Sequence, residues 1–163
     1  MSARTEVRVK VADFAVANGD TMLVTVGLGS CVAIVLHDAQ AQVGGLAHVL
    51  LPSTGMSQDR TNRAKFPSSA VPLLCERMQA LGARSGRIRA RIVGGASMFT
   101  SLLSATGLQI GERNVIATRV ALEHAGIPIV AQEVGGDYGR SVYFSVQVGN
   151  VVVKSLKAGN VLL

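Results

Sequence analysis

A thiol placed directly after a glycine-rich turn is the feature of this chain most suggestive of chemistry. Cys31 closes the run Thr25, Val26, Gly27, Leu28, Gly29, Ser30, in which an apolar segment gives way to a tight turn. Such a turn exposes backbone N–H groups, so the thiol is a candidate nucleophile beside a candidate oxyanion site. A small buried cysteine opening a strand is the bland alternative, because free cysteine is among the most buried residue types. The next apolar segment supplies a base. If Cys31–Leu36 and Gln42–Leu51 form a hairpin whose loop is centred on Ala39 and Gln40, Cys31 stands directly opposite His48. Residues opposed in an antiparallel pair share a face, with Cβ atoms about 4.5–5.5 Å apart, which is the reach of a thiol–imidazole pair. A slip of one residue would send His48 to the other face. To orient the imidazole, no Asp, Glu or Asn stands nearby in sequence, and Thr25 is the local candidate. Its neutral hydroxyl accepts an imidazole N–H but supplies no charge.

These residues need elements to hold them. Val7–Val11 and Met22–Val26 read as strands, as do Cys31–Leu36 and Gln42–Leu51 with the loop Asp38–Ala41 between them. From Pro67 to Leu81 the apolar spacing becomes helical, with Ala70, Leu73, Leu74, Met78 and Leu81 on one stripe and Gly82 at the stop. Arg87–Val93 reads as a strand, Ser97–Ala105 as a short helix, and Val115–Ala125 as a longer one closed by Gly126 and Pro128. The strands Ile129–Val134, Ser141–Val148 and Val151–Leu156 follow, with Gly149 and Asn150 as a two-residue turn. Strands outnumber helices and regular β-α-β alternation is absent. The expected fold class is therefore α/β in the α+β sense: a layered sandwich of a mixed, largely antiparallel sheet with packed helices.

With 163 residues the chain has the size of one domain, expected over 1–163. Hydrophobic residues make up 48% and charged residues 16%, which excludes a disordered or low-complexity chain. Sixteen basic against ten acidic residues give +6, a modest bias towards acidic partners. Two cysteines are too few for a disulfide framework or a multi-cysteine metal site, so reduced thiols are expected. MSARTEVRVK has no hydrophobic leader core, and no apolar run reaches spanning length, so the expectation is a soluble cytoplasmic protein without membrane insertion.

The sequence also resembles the CheD family of chemoreceptor glutamine deamidases over nearly its whole length. Besides Thr25–Cys31, the likeness is carried by Ala47 and His48 running into Leu50, Leu51 and Pro52, then by Gly94, Gly95, Ala96, Ser97, Met98 and Phe99. Ile110 and Gly111 with Arg113 and Asn114 continue it, and Gly135 and Gly136 leading to Gly139, Arg140, Ser141 and Val142 complete it. The resemblance implies a layered fold similar to the deamidase domain of cytotoxic necrotizing factor toxins. It implies Cys31 as nucleophile, His48 as general base and acid, and Thr25 as the group orienting His48; the backbone N–H groups near Ser30 and Cys31 are the oxyanion candidates that this mechanism would use. The implied substrates are glutamines of methyl-accepting chemotaxis receptors, and the implied partners are those receptors and a CheC-type phosphatase. No cofactor and no metal is implied, and nothing requires more than a monomer. A regulatory binding module acting on receptors and such a phosphatase is the alternative; a redox role for Cys31 ranks below it, since no resolving cysteine is adjacent. One departure lies at Phe66, Pro67, Ser68 and Ser69, where the family commonly has an aspartate shortly after an aromatic residue. Ser68 or Ser69 is left as a candidate helix cap.

Other polar residues have plainer readings. Cys75 falls on the apolar stripe, while His37 and His124 read as surface residues. Arg87, Arg89 and Arg91 alternate on one expected strand face, as a solvated surface or one that meets acidic receptor helices. With 4% aromatic residues and no Trp, nucleic-acid binding is not supported, and the glycine pairs lack a phosphate-loop pattern.

Overall fold

The computed structural model describes residues 4–97 and 109–163. Among them are ten strands and two α-helices. In chain order they are β1 (Thr5–Arg8), β2 (Phe14–Asn18), β3 (Thr21–Leu28), β4 (Val32–Asp38), β5 (Val43–Val49) and α1 (Pro67–Ala80). Then come β6 (Arg89–Gly94), α2 (Ile110–His124), β7 (Ile129–Val134), β8 (Arg140–Ser145), β9 (Val151–Ser155) and β10 (Gly159–Leu162). The strands form two five-stranded sheets rather than one, in the orders β1-β3-β8-β9-β10 and β2-β5-β4-β6-β7. Only β1/β3 and β6/β7 are parallel, so both sheets are mixed and largely antiparallel, and the α+β layered class expected from sequence is borne out.

The layering follows from the apolar runs. Alternate residues of β4 face opposite ways. Val32, Ile34 and Leu36 pack with Leu74 and Met78 of α1 and Leu122 of α2. Ala33 and Val35 pack with Leu23 and Phe144 of the other sheet. Both faces of β4 are covered, which is why Val32–Leu36 reads as a continuous apolar run without alternation. Each fully buried side chain of the size of Leu23 or Phe144 contributes about 1.5–3 kcal/mol to this three-layer packing.

Several boundaries differ from the sequence reading. β2 and β10 were not expected; both are sheet-edge strands with no fully buried residue, and they carry weak apolar signals. Arg87 lies outside β6 in a short 3-10 turn, Ser85–Arg87. The β8–β9 connection runs over residues 146–150 instead of closing at Gly149 and Asn150, because Phe144 pairs with Val151. Helix α1 matches its expected span to one residue, but neither Ser68 nor Ser69 caps it: the N-cap is Phe66, and the Ser69 hydroxyl donates to the Arg63 carbonyl at 2.7 Å. Helix α2 begins five residues before the expected Val115. Apart from Ser97, the expected helix Ser97–Ala105 lies outside the described residues.

Candidate active site

The centre of the site is a polar contact between the two sheets. Thr25 on β3 and His48 on β5 are both fully buried, and Thr25 Oγ1 lies 2.7 Å from His48 Nδ1. The same hydroxyl donates to the Val9 carbonyl at 2.7 Å. A hydroxyl has one proton, and a carbonyl can only accept, so that proton is committed to Val9. Thr25 must then accept, which places the imidazole proton on Nδ1 and leaves a lone pair on Nε2. Nε2 is buried and has no hydrogen-bond partner among the described residues. The segment following β1 braces both side chains: Val9 N–H donates to Val24, and His48 exchanges backbone bonds with Ala12 and Asp13 at 2.9 and 3.0 Å.

The hairpin places Cys31 differently from the sequence reading. Its loop centre lies one residue further along the chain, a two-residue change of register, so Ala33, not Cys31, opposes His48. The shift arises because the loop needs four residues after Asp38, with Gln42 in the left-handed region at φ 55. Cys31 becomes the diagonal neighbour of His48. Since it is two residues from Ala33, it keeps the same face, and it packs in the core between the sheets. Diagonal pairs lie about 7–8 Å apart at Cα and remain within reach of longer side chains.

The turn before Cys31 is pinned by its carbonyls. Gly29 accepts from Ala96 N–H at 2.9 Å, Cys31 accepts from Gly95 N–H at 2.8 Å, and Ser30 accepts from the Asn114 side-chain amide at 2.9 Å. In a trans peptide the carbonyl and the following N–H point in opposite directions. With the Gly29 and Ser30 carbonyls held towards α2 and the residues after β6, the N–H groups of Ser30 and Cys31 point away from them. Burial pushes the Cys31 thiol up, and its own backbone amide offsets this in part. Burial also lowers His48, to about 4, so thiol and imidazole are both neutral near pH 7.

Helix α2 supplies the residues that the sequence reading did not assign to the site. Its buried positions are Gly111, Asn114, Thr118 and Leu122, an unusually small and polar face. A Cβ at Gly111 would stand 2.2 Å from the Ala96 carbonyl, and one at Gly95 would stand 2.3 Å from Val115. The two glycines let the helix close onto the residues that hold the nucleophile's turn. The signal was present in the 111/114/118/122 spacing, but it becomes visible only when the helix is extended back to Ile110.

The remaining candidates fall elsewhere. Cys75 is half-buried against the helix layer with its thiol pushed up by burial, consistent with a packing role. His37 is not a surface residue: it is buried, and its Nε2 meets the Val146 carbonyl at 2.8 Å. His124 is exposed in the last turn of α2. The arginines do not form one solvated strand face. Arg87 pairs with buried Asp38 at 3.0 Å, and Arg91 on β6 is half-buried with an unpartnered Nε. Gly135 and Gly136 tie to the site through Gly135 N–H to Gly94 and Ser97 N–H to Gly136, each 2.9 Å. Among the described residues no group of three or more His, Cys, Asp or Glu is placed to hold a metal, and no helix is long and apolar enough to cross a membrane.

A thiol and an imidazole of fixed tautomer on one face, beside backbone amides turned away from α2, are a candidate apparatus for thiol-dependent acyl transfer. Comparison with known proteins gives this class a family. The family described as CheD chemotactic sensory transduction matches residues 50–155. A relative from Caldanaerobacter subterraneus subsp. tengcongensis, named "Probable chemoreceptor glutamine deamidase CheD", is 43% identical over 93% of this chain and 94% of its own. Relatives of the same name from Moorella thermoacetica and Clostridium botulinum (strain Hall) are 44% and 39% identical, over 93% and 94% of this chain and 91% and 95% of theirs. The chain belongs to the CheD family. Among solved structures, the Bacillus licheniformis hypothetical protein YfiH aligns at TM-score 0.46 and 16% identity, over 74% of this chain and 49% of that one.

Proposed function

We propose that the protein is a cytoplasmic glutamine deamidase acting on methyl-accepting chemotaxis receptors, with one catalytic domain over 1–163. Family membership supports the reaction, and one observation carries the assignment of residues. The imidazole of His48 keeps an unpartnered, buried Nε2 lone pair on the face that holds Cys31. His48 Nε2 removes the thiol proton as Cys31 Sγ attacks the carboxamide carbon of the substrate glutamine. A neutral imidazole and a neutral thiol make this a general-base step rather than attack by a standing thiolate. The N–H groups of Ser30 and Cys31 stabilise the oxyanion. Collapse of the tetrahedral intermediate breaks the C–N bond, and the His48 imidazolium gives its proton to the departing ammonia. A thioester remains. Neutral His48 then takes a proton from water, hydroxide equivalent adds to the thioester, and Cys31 leaves with the proton returned, producing glutamate. Thr25 keeps the ring in the productive tautomer throughout. No step needs a cofactor. Association with a CheC-type phosphatase is a further element of the reading.

The test is peptide mass spectrometry of a receptor cytoplasmic fragment incubated with wild-type protein or with Cys31→Ala. Conversion of glutamine to glutamate by the wild type alone is the expected result. Equal conversion by Cys31→Ala would remove the nucleophile assignment. A folded wild type that binds receptor without converting it would favour a regulatory binding module.

A further inference from the structure

We infer that Asn114 is a positioning residue that fastens the nucleophile's turn to the strand carrying the base and strengthens an oxyanion donor. Asn114 is fully buried on α2. Its Nδ2 donates to two carbonyls from different segments, Ser30 at 2.9 Å and Leu50 at 3.1 Å. Ser30 directly precedes Cys31, and Leu50 lies two residues after His48. One side-chain amide therefore spans the two chain segments whose relative placement sets the thiol–imidazole geometry. Its orientation is unambiguous, since the reversed amide would set an oxygen against two carbonyl oxygens. The bond to Ser30 also acts through the peptide plane. A donor on the Ser30 carbonyl polarises the Ser30–Cys31 amide, and hydrogen bonds in series reinforce one another, so the Cys31 N–H on the opposite edge becomes a better donor. The buried Asn114 Oδ1 has no partner among the described residues. A buried amide with an unsatisfied acceptor is costly for stability alone.

The inference rests on the deamidase reading for its kinetic consequence, but it has a substrate-free readout. The rate at which iodoacetamide alkylates Cys31, followed by peptide mass spectrometry to separate it from Cys75, reports on the thiol and its base directly. Asn114→Leu keeps the branched shape and the number of side-chain heavy atoms and removes both donors; Asn114→Ser keeps one donor in a shorter side chain. Leu122→Val, on the same helix, serves as the control for stability loss. The expected result is a fall in Cys31 alkylation and in kcat of roughly 10- to 100-fold for Asn114→Leu. KM should stay within about threefold, because the site's geometry rather than receptor binding is disturbed. Asn114→Ser should fall between Leu and wild type, and Leu122→Val should lower Tm without these losses. Wild-type alkylation in whichever Asn114 variant folds, or equal losses in Leu122→Val, would overturn the inference. If the wild type fails to deamidate receptors while Cys31 alkylation still depends on Asn114, the deamidase reading falls and the positioning role stands.

Discussion

Two histidines lie on the adjacent strands β4 and β5, both buried between the same two sheets, and they end in opposite chemical states. His37 meets the Val146 carbonyl through Nε2, so its proton is on Nε2, and its ring stands edge-on to Phe144 with centroids 5.5 Å apart. His48 holds its proton on Nδ1 through Thr25 and keeps Nε2 unpartnered. Beside His37, Asp38 accepts from the Ala41 and Arg84 N–H groups and from Arg87. Burial works against the charge of Asp38, but these donors outweigh it and hold the carboxyl below its usual range. The hairpin's loop end is therefore an anchor, and its open end is where the proposed reaction sits. Burial does not tell the two histidines apart. The difference lies in which nitrogen holds the proton and in where the free lone pair sits: on Nδ1 for His37, and on the fully buried Nε2 for His48, on the face that carries Cys31.

Exchanging each histidine for glutamine should separate these roles. His48→Gln keeps a polar group near Thr25 but removes the base, and turnover should fall about 10²- to 10⁴-fold with the fold retained. His37→Gln loses the bond to Val146 and the contact with Phe144, and should lower stability by about 1–3 kcal/mol while leaving turnover of the folded protein near wild type. Deamidation kinetics and urea unfolding of the two variants measure both axes. Equal activity losses would collapse the distinction.

The same comparison has a pH dependence. Burial lowers His48 to about 4 from an ordinary 6.5, and burial also lowers His37, with the Val146 carbonyl pulling the other way. Between about pH 6.5 and 4 the unfolded chain takes up protons that the folded chain refuses, so stability rises with pH across that window and falls as acid is added. The His48 share amounts to about 3 kcal/mol by the bottom of the window. Urea midpoints of wild type and His48→Gln from pH 7 to 4 should therefore converge as pH falls, the variant losing less. Parallel curves would mean that His48 is not held neutral in the fold. The acid limb of kcat/KM should follow the same group and lie near pH 4, well below that of a free imidazole.

The chemistry of the site was more legible in the sequence than its geometry. Cys31 and His48 could be paired because hairpin parity puts them on one face whether the loop centre lies at Ala39 and Gln40 or one residue later, and Thr25 was the local hydroxyl able to orient the ring. Their exact opposition could not be read, because the left-handed backbone at Gln42 that sets the loop length has no clear mark in its residue type. The helix layer was legible from the stripe of α1. The second sheet was not, since β2 and β10 are short edges and the sheets meet through long-range contacts that no local pattern encodes. Asn114 went unassigned for a related reason. Its value lies in carbonyls 84 and 64 residues away in sequence, which only the folded chain brings together.

The smallest and most discriminating change is at Thr25. Thr25→Val keeps the side chain's shape and removes the hydroxyl, which strands the Val9 carbonyl and frees the His48 ring to move its proton from Nδ1 to Nε2. Loss of a group that orients another typically costs 10- to 100-fold, and kcat should fall about that much. Thr25→Ser restores the donor to Val9 and the acceptor for Nδ1, and loses only a methyl group, so kcat should stay within about threefold and stability within about 1 kcal/mol of wild type. Nitrogen-15 shifts of the His48 ring give the readout that packing cannot imitate: Nδ1–H in wild type and Ser, a mixture of tautomers in Val. If Ser and Val lose activity equally and the ring keeps its tautomer in both, Thr25 acts by filling space. The contrast between His37 and His48 would then rest on the unpartnered Nε2 alone, without the hydroxyl that fixes it.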